Sequence, residues 1–411
     1  MPDLDAKTAA YRIIARLNLH GHRAMLAGGC VRDMLMGAIP KDYDVATDAT
    51  PDVVISLFSR TDKVGAQFGV VLVRQGRHQV EVATFRSDLD YSDGRHPDAV
   101  RFGNELDDAL RRDFTINGMF YDVSDERVID HVGGRQDLDA KLICAIGDPD
   151  RRFAEDHLRM LRAVRFAARL DFAIEPVTLQ AIQRQAPSLA AICPERIREE
   201  LRMILCERPA IRARGWRLIA ETRLADYIIP GLQWSDTLWH DAGQRLAYLP
   251  DAPSLMLVLS AVLLGREPHA AESACRRLRC NNIEARGAAW LLESLPFVQD
   301  PDQLEMADLK LLMADPRFPD LLSLLRAHTL AQAIPTTACD ALAARARDIP
   351  PADVAPLPFV TGDDLLDRGV PQGPAYARIL DGIYRAQLNH RVTTRDQALA
   401  MLDDHVAPRD P

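Results

Sequence analysis

The stretch MLAGGCVRDMLMGAIPKDYDVA, residues 25–46, decides the fold. It begins with a short apolar run at 25–27, which is broken by a pair of glycines and followed by a helical pattern at 31–36. This order is typical of a strand, a tight turn and a helix. A second strand is predicted at 43–46, directly after Asp42.

The same α/β pattern continues to about residue 140. Apolar residues at helical spacing predict a first helix over 8–20, and another helix is expected over 51–58. Two further strands are predicted at 70–73 and 79–83, where valine is frequent. The N-terminal third of the chain is therefore expected to form one compact α/β unit.

Beyond Arg151 the strand signals almost vanish. Leucine, alanine and arginine dominate there, and helical spacing recurs. The rest of the chain is expected to be an all-helical body that is broken by prolines at 187, 194, 209 and 230. A proline-rich stretch at 350–358 predicts a linker before a last helical segment at about 360–405.

Length and composition agree with a folded protein of several units. The 411 residues exceed the roughly 250–300 at which one hydrophobic core stops growing. Hydrophobic residues make up 47% and charged residues 27%, without a low-complexity tract, which excludes a disordered chain. The N-terminus has no basic stretch before an apolar core, and no run of about 18 apolar residues follows, so we expect a cytoplasmic protein with no membrane partner.

Cysteines and charges restrict the chemistry further. The seven cysteines are scattered, odd in number and without CxxC spacing, so we expect reduced core residues and no disulfide partners. A formal net charge of −9 argues against a surface of uniformly positive potential. Arginine is nevertheless concentrated at 151–169 and 196–217, where the clusters suit phosphate contacts or form solvated helix faces.

Asp42 and Asp44 are the central candidates for catalysis. On a strand, residues two apart point to the same side, so both carboxylates are expected to face one cavity. Two neighbouring negative charges repel each other unless a cation joins them, and Mg²⁺ favours carboxylate and phosphate oxygens. The pair therefore predicts a magnesium site, although acidic pairs are also common in ordinary loops.

The glycine pair upstream, Gly28 and Gly29, gives the acidic pair its context. A backbone without Cβ at a strand-to-helix turn can approach a phosphate closely, and the following helix offers its first amide groups as donors. Arg32, one helical turn on, is expected to reach the same phosphates. An ordinary tight turn or a degenerate dinucleotide-binding loop explains the glycines as well, and a full GxGxxG is absent.

Glu81 lies on a neighbouring predicted strand and is the third catalytic candidate. It either completes the acidic cluster or activates an attacking hydroxyl, and a rim carboxylate that balances Arg86 is the alternative. The polar stretch at 86–101 is too long for a hairpin turn. It is therefore either a mobile loop beside the active site or a plain surface loop.

Four longer motifs occur in order along the chain. They are LAGGCVRDML at 26–35, KDYDVAT at 41–47, RRDFTIN at 111–117 and RFAEDHLRMLRAVRF at 152–166. This series resembles the class II tRNA nucleotidyltransferase and bacterial poly(A) polymerase family. The resemblance runs from about residue 12 to 217, with a weaker echo at 361–365 and at 373–374.

The resemblance implies an α+β fold. Its N-terminal head is expected to be a polymerase β-like nucleotidyltransferase domain, an α/β unit with a mixed sheet, followed by an all-helical neck, body and tail. The expected bounds are 1–145 for the catalytic head, 146–215 for the nucleotide-recognition and RNA-binding neck, 216–350 for the helical body and 351–411 for a tail that contacts tRNA.

The resemblance also implies roles for single residues, carried over by position. Asp42 and Asp44 would bind magnesium. Gly29, beside Gly28, and Arg32 would contact the incoming nucleotide.

Further nucleotide-binding residues follow from the two later motifs. Arg112, with Asp113 and Asn117 beside it, would hold the triphosphate or the ribose. A recognition helix would carry the remaining residues, which are Asp156, Arg159, Arg162 and Arg165. The segment PERI at 194–197 matches the motif that is thought to brace that helix.

Two residues of that helix have the chemistry to select bases. Asp156 and Arg159 are three residues apart and so share a helix face. Cytosine and adenine present an exocyclic amine beside an unprotonated ring nitrogen, which one carboxylate acceptor and one guanidinium donor satisfy. Uracil and guanine reverse that pattern and are excluded, so selection needs no template strand. An intrahelical salt bridge between the same two residues is the alternative.

These features predict an enzyme that adds C, C and A to the 3′ end of tRNA from CTP and ATP, releases pyrophosphate and uses Mg²⁺. The alternatives are a poly(A) polymerase and a partial enzyme that adds only CC or only A. The segment GAQFGVVL at 65–72 stands where poly(A) polymerases usually carry an Arg-Arg-Phe-Arg-like stretch, and the last twenty residues are not basic. Both observations favour the tRNA enzyme.

Two other classes of protein are alternatives to this prediction. An inactive RNA-binding module of the same fold is disfavoured by the intact pair of Asp42 and Asp44. A metal-dependent phosphohydrolase would need a histidine cluster, whereas the His240-Asp241 dipeptide stands alone and is expected to be a surface feature.

Overall fold

The computed structural model describes residues 5–62, 69–89, 99–229, 231–371 and 373–406. The chain divides into two compact units. The first comprises residues 1–207 and 211–233, and the second comprises 208–210 and 234–411. Within the described ranges, no helix combines the length and the apolar character that a membrane crossing requires.

The first unit is built on a seven-stranded mixed sheet. The strands of this part of the chain are β1 (Ala24–Ala27), β2 (Val45–Thr47), β3 (Thr61–Asp62), β4 (Val70–Gln75), β5 (His78–Thr84), β6 (Arg86–Leu89), β7 (Ala99–Phe102), β8 (Phe120–Asp122) and β9 (Arg127–Ile129). The spatial order of the sheet is β3-β4-β5-β2-β1-β8-β9. Strands β2 and β5 run parallel, and the other neighbours run antiparallel, so the predicted mixed sheet is confirmed.

Five helices accompany these strands. They are α1 (Ala6–Leu19), α2 (Gly29–Leu35), α3 (Pro51–Leu57), α4 (Glu105–Leu110) and α5 (Gly134–Asp139). Helix α1 buries Ile13, Ile14 and Leu17 on one face, as the helical spacing predicted, and packs on β1 and β5. All four residues of β1 are buried, which explains why this strand is a continuous apolar run and not an alternating one.

The acidic pair lies just outside the sheet, so the strand predicted at 43–46 starts too early. Strand β2 begins at Val45, and Asp42 to Asp44 precede it. The alternation of sides still holds, because Tyr43 is buried while Asp42 and Asp44 are exposed. The Ala27 amide donates to the Asp44 carbonyl oxygen at 3.0 Å, which ties the segment to β1 without extending β2.

The polar stretch predicted as a loop at 86–101 is partly strand. Its ends form the antiparallel pair of β6 and β7, with Arg86 opposite Phe102 and Ser87 opposite Arg101. Strand prediction from apolar and β-branched residues misses such polar strands, because backbone hydrogen bonds hold them. The predicted mobile loop falls mainly on residues 90–98, which lie outside the described residues.

The helical part of the chain begins at Pro149. Its first elements are α6 (Pro149–Glu155), α7 (Arg159–Leu170), α8 (Pro176–Gln185), α9 (Pro194–Leu205), α10 (Pro209–Glu221) and α11 (Ala225–Ile228). Four of these helices begin with proline, whose missing N–H has no intrahelical partner at that position in any case. A short parallel pair, β10 (Leu142–Ile143) and β11 (Ala173–Ile174), is an exception to the expected absence of strands.

The second unit is helical. Its helices are α12 (Asp236–Ala247), α13 (Leu255–Leu263), α14 (Pro268–Arg277), α15 (Asn282–Val298), α16 (Met306–Met313), α17 (Phe318–Ala331), α18 (Thr337–Asp348), α19 (Pro351–Val354), α20 (Gly362–Leu366), α21 (Pro374–Leu388) and α22 (Arg395–Val406). All nine residues of α13 are buried, as its composition requires. The predicted linker at 350–358 contains the short helix α19.

The last three helices share a small core of their own. Leu365, Ile383 and Leu402 are buried together with Val360, Ala386, Val392 and Ala398. The four-part division into head, neck, body and tail with bounds near 145, 215 and 350 stays a prediction.

Substitution by alanine is expected to have opposite effects on stability at two helical glycines. A Cβ on Gly215 in α10 would overlap the Ile204 side chain of α9, whereas a Cβ on Gly382 in α21 has no neighbour within 4 Å. Gly215→Ala is therefore expected to destabilise the fold by about 1–3 kcal/mol through overpacking. Gly382→Ala is expected to stabilise it by about 0.5–1 kcal/mol through helix propensity. Urea unfolding followed by circular dichroism measures both, and equal stabilities would contradict the packing.

Candidate functional site

A cavity of about 490 Å³ in the first unit collects most of the predicted site residues. Its walls come from β1, α2, the start of β2, β4, β5, the start of β6, the segment after α4, the residues before α7, α7 itself and α9. Eleven of the thirteen predicted residues line it, namely Gly28, Gly29, Arg32, Asp44, Glu81, Arg112, Asp113, Asn117, Asp156, Arg159 and Arg162. Motifs far apart in sequence therefore share one space.

Asp42 and Arg165 do not line this cavity. Asp42 is exposed beside it, close enough for its charge to raise the pKa of Asp44. Arg165 turns to Glu200, with Nε 3.1 Å from Oε2, and donates to the Met203 sulfur at 2.9 Å. The predicted contact of Arg165 with a nucleotide has no support from this geometry.

Two carboxylates stand side by side on the cavity wall. The parallel register pairs Val45 of β2 with Val82 of β5, so the preceding residues, Asp44 and Glu81, are neighbours. The pKa of Asp44 is raised to about 6. Burial is the main cause and the charge of Glu81 is the second, while Arg112 acts in the opposite direction. Protein atoms surround much of the Asp44 side chain, which explains the effect of burial on its pKa. The side chain is nevertheless exposed to solvent through the opening of the cavity.

These carboxylates fit a divalent cation. Among the described residues, Asp42, Asp44 and Glu81 have no ion pair and no side-chain hydrogen bond. The charge of Arg112 does not prevent the pKa of Asp44 from rising. No group of three His, Cys, Asp or Glu side chains in the described part of the chain forms a closed metal cage. Such an open donor set suits an ion that keeps water and phosphate oxygens as its other ligands.

The backbone conformation and the close neighbours at position 28 require a glycine there. Its φ of 76° lies in the region that favours glycine, and a Cβ there would lie 2.7 Å from Nη1 of Arg112. Its amide is already used, because it donates to the Met119 carbonyl oxygen at 3.0 Å. The amides of Gly29 and Cys30, in the first turn of α2, are therefore the donors that this turn can offer to a ligand.

Arg112 is held by an acid that the sequence analysis missed. Asp108 on α4 is fully buried and accepts from Arg112 at 2.9 Å and from Arg111 at 2.8 Å. Burial alone would raise the pKa of Asp108, but the two arginines outweigh it and lower the pKa. The signal was present, since an acid three and four residues before two arginines is a helical ion-pair pattern.

Asp113 and Asn117 position other residues. Asp113 accepts from Nε and Nη2 of Arg162 at 2.9 and 2.7 Å, from the Phe114 amide at 2.8 Å and from Asn117 at 3.2 Å. These four bonds use the lone pairs of the carboxylate. Asn117 in turn accepts from Nη1 of Arg32 at 2.6 Å. A continuous polar chain thus runs from α2 to α7.

The recognition helix begins later than predicted. Helix α7 starts at Arg159, and Asp156 lies in the break after α6 with extended φ and ψ of −150° and 102°. The prediction that Asp156 and Arg159 share a helix face is therefore wrong, and the alternative of an intrahelical salt bridge between them is wrong too. A carboxylate that caps the Leu158 amide at 3.0 Å competes with helix formation at this point.

The two residues have separate partners on the cavity wall. Asp156 pairs with Nη1 and Nη2 of Arg196 at 3.2 and 2.8 Å, so Arg196 of the 194–197 segment contacts the residues before α7. Arg159 donates at 2.7 Å to Glu155, which also accepts from Arg152 at 2.7 Å. Glu155 did not stand out in the sequence, because nothing there indicated which arginine it would meet.

The charge of the lining suits a polyanion. Seven arginines line the cavity against four carboxylates, and the arginines are Arg32, Arg86, Arg111, Arg112, Arg159, Arg162 and Arg196. The negative net charge of the chain is therefore no obstacle to binding phosphates locally.

Comparison with known proteins agrees with this geometry. The family described as "Poly A polymerase head domain" matches residues 24–144, and that described as "Probable RNA and SrmB- binding site of polymerase A" matches 171–235. The CCA-adding enzyme of Geobacillus thermodenitrificans (strain NG80-2) is 35% identical over 398 residues, 95% of each chain. This chain belongs to the family of CCA-adding enzymes. Nucleotidyltransferases of this family generally use a divalent metal ion.

Two other relatives align with this chain over a shorter stretch. The CCA-adding enzyme of Bacillus pumilus (strain SAFR-032) is 44% identical over 55% of this chain and 56% of its own. Poly(A) polymerase I of Salmonella typhi is 45% identical over 48% of this chain and 44% of its own. The chain thus spans about half the length of these two relatives.

A solved structure extends the similarity to the whole family fold. The crystal structure of the Bacillus stearothermophilus CCA-adding enzyme in complex with CTP has a TM-score of 0.81 at 30% identity. It covers 97% of this chain and 96% of that one. The resemblance and the fold class predicted from the sequence are both confirmed.

The Asp113–Arg162 pair predicts a pH-dependent stability. Burial opposes ionisation of Asp113, but Arg162, Asn117 and the Phe114 amide outweigh it and lower its pKa from 3.8 to about 2. A depressed pKa stabilises the fold above the unfolded value of 3.8, and this stability is lost as the pH falls through about 2. Asp113→Asn is therefore expected to cost about 2–4 kcal/mol at pH 7, and the difference should narrow between pH 4 and pH 2.

Asp171→Asn provides the matched control for that experiment. Asp171 pairs with Arg214 at 2.9 Å, but its side chain is 84% exposed, so its removal should change stability by less than about 1 kcal/mol at any pH. Urea unfolding at a series of pH values measures both variants. A constant deficit of Asp113→Asn from pH 7 to pH 2 would contradict the assigned pKa.

Proposed function

We infer that this enzyme adds C, C and A to the 3′ end of tRNA, using CTP and ATP and releasing pyrophosphate. The observation that carries the inference is the 35% identity to a CCA-adding enzyme over 95% of both chains. The cavity that collects eleven of the predicted site residues supports it. A relative with the same fold binds CTP. The cytoplasm stays the proposed location.

Mg²⁺ is the proposed cofactor, with Asp42 and Asp44 as its protein ligands. The unpaired carboxylates and the raised pKa of Asp44 support this assignment. Such an ion, when bound, polarises the attacked phosphate and stabilises the charge that develops on its oxygens. Glu81 beside Asp44 either joins these ligands or accepts the proton of the tRNA 3′-hydroxyl.

The chain's own residues orient the reaction. The 3′-hydroxyl of tRNA attacks the α-phosphate, and the bond from that phosphorus to the pyrophosphate oxygen breaks. Arg32, Arg112 and Arg162 neutralise the triphosphate and the departing pyrophosphate, since all three line the cavity and are held by buried acids or amides. The Gly29 amide adds a donor at the start of α2.

Asp156 and Arg159 are proposed to read the base. The Asp156 carboxylate accepts three hydrogen bonds from Leu158 and Arg196, which leaves about one lone pair on Oδ2. Arg159 uses three of its five N–H donors, on Arg152, Glu155 and Arg111, and keeps Nε–H and one Nη2–H. One acceptor and a donor suit the edge of cytosine or adenine and not that of uracil or guanine.

A tRNA that lacks its last three nucleotides tests the reaction. CTP alone should add two nucleotides, CTP with ATP should add three, and UTP or GTP should add none. Gel analysis of labelled products measures length and composition. Asp44→Asn should lower the rate at least about 1,000-fold, because it removes a metal ligand without changing the size of the side chain.

The same assay separates the alternatives. A long product from ATP alone would indicate a poly(A) polymerase, which the half-length similarity to such an enzyme makes the second candidate. Addition that stops after CC, or that begins only on a tRNA ending in CC, would indicate a partial enzyme. No incorporation by the wild type at any Mg²⁺ concentration would contradict the proposed function.

Asp156→Ala is expected to relax base choice. It removes the acceptor for the exocyclic amine, so incorporation of UTP relative to CTP should rise about tenfold or more, the value of one hydrogen bond to a charged group. Competition between labelled CTP and UTP measures the ratio. Glu195→Gln is the control, because Glu195 is exposed on α9 next to Arg196. An unchanged ratio in Asp156→Ala would contradict the readout.

A further inference from the structure

We propose that Phe166 is a positioning residue that holds arginine side chains in the orientation in which the site binds the triphosphate of the nucleotide. The proposal rests on the proposed function for the identity of that ligand. Phe166 lies on α7 and lines the cavity. Its ring centroid lies 5.4 Å from Cζ of Arg32, 5.5 Å from Cζ of Arg162 and 4.7 Å from Cζ of Arg165.

Three guanidinium groups around one ring are an unusual concentration of charge. Cation–π contacts of this kind occur about once per 70–80 residues, so three on a single ring exceed the background. Guanidinium groups that are close together repel each other. The negative face of an aromatic ring attracts a guanidinium, although the ring is apolar. An aliphatic side chain of similar size would fill the space but would not attract the charges.

Carboxylates hold these guanidinium groups from other directions. Asp33 accepts from Arg32 at 2.6 Å, Asp113 accepts from Arg162 at 2.7 Å, and Glu200 lies 3.1 Å from Arg165. Each acid fixes one edge of its guanidinium. The ring adds a second restraint. It links two helices, because it contacts Arg32 of α2 as well as the two arginines of its own helix, α7.

The ring itself is held in place. Phe114 packs edge-on against Phe166 with centroids 5.8 Å apart and an interplanar angle of 77°. Phe114 is fully buried and directly follows Asp113, the partner of Arg162. The orientation of the Phe166 ring is therefore coupled to the same segment that orients Arg162 and Asn117.

Loss of the ring should weaken binding of phosphate, whatever the base. Without the π face, Arg32 and Arg162 gain freedom that must be removed again when a triphosphate binds, and the cost falls on affinity. The arginines that the ring contacts do not include Arg159 of the proposed base-reading pair. CTP, ATP and inorganic triphosphate should therefore lose affinity by a similar factor.

Calorimetric titration with CTP and with inorganic triphosphate, without tRNA, tests the proposal. Phe166→Leu should weaken both about tenfold, and Phe166→Tyr, which keeps the π face, should restore most of the affinity. In turnover with tRNA, the KM for CTP and ATP should rise about tenfold, while kcat falls less than about threefold. Because the titration needs no tRNA, failure of the wild type to extend tRNA would contradict the proposed function alone.

Two further variants separate positioning from folding. Phe172→Leu is the control shortly after α7, because Phe172 is more buried than Phe166, so its truncation tests the effect of lost packing, and no cation lies over its ring among the described residues. It should bind CTP like the wild type. Trifluorophenylalanine at position 166 keeps the shape of the ring but weakens its negative face, so it should also lower affinity, and it replaces Phe166→Leu if that variant does not fold. Wild-type affinity of the fluorinated protein, or an equal loss in Phe172→Leu, would overturn the proposal.

Discussion

The buried ion pair between Asp113 and Arg162 is the constraint on which the rest of the site depends. Moving two charges out of water costs several kcal/mol per ion unless their geometry is good and their remaining hydrogen bonds are satisfied. Asp113 meets this condition with four accepted bonds. The same bonds fix Asn117, which holds Arg32, so the segment after α4 orients arginines on both α2 and α7.

The arginine side chains of the site are oriented by protein partners before any ligand binds. Arg112 is held by Asp108, Arg159 by Glu155, and Arg162 by Asp113. Dipoles and charges that are already oriented need no reorganisation as charge moves from the attacked phosphate to the leaving group. Asp44 and Glu81, by contrast, have no such partners among the described residues. The protein thus holds these arginines with its own carboxylates, and under the proposed function the acidic pair is left to bind an external cation.

Local sequence patterns predicted most of the head and failed where long-range contacts decide. The turn before α2 was predicted from the glycine pair that ends an apolar run, and the structure gives Gly28 a φ that glycine favours. The start of β2 was predicted two residues too early. The pair of β6 and β7 was missed, since backbone pairing holds these two strands and their side chains gave no clear strand pattern. The contact of Phe166 with Arg32 joins residues more than a hundred positions apart, and no periodicity in the sequence indicates it.

The break between α6 and α7 bears on the proposed selection of bases by Asp156 and Arg159. In an unbroken helix, a carboxylate and a guanidinium three residues apart would face each other and satisfy each other's hydrogen bonds. Because Asp156 is extended, it bonds to Arg196 while Arg159 bonds to Glu155, and each retains unused capacity at the cavity wall. A rigid acceptor and a rigid donor, held apart from each other, are what selection of C and A without a template requires. The departure from helical geometry therefore supplies the separation that an ideal helix would remove.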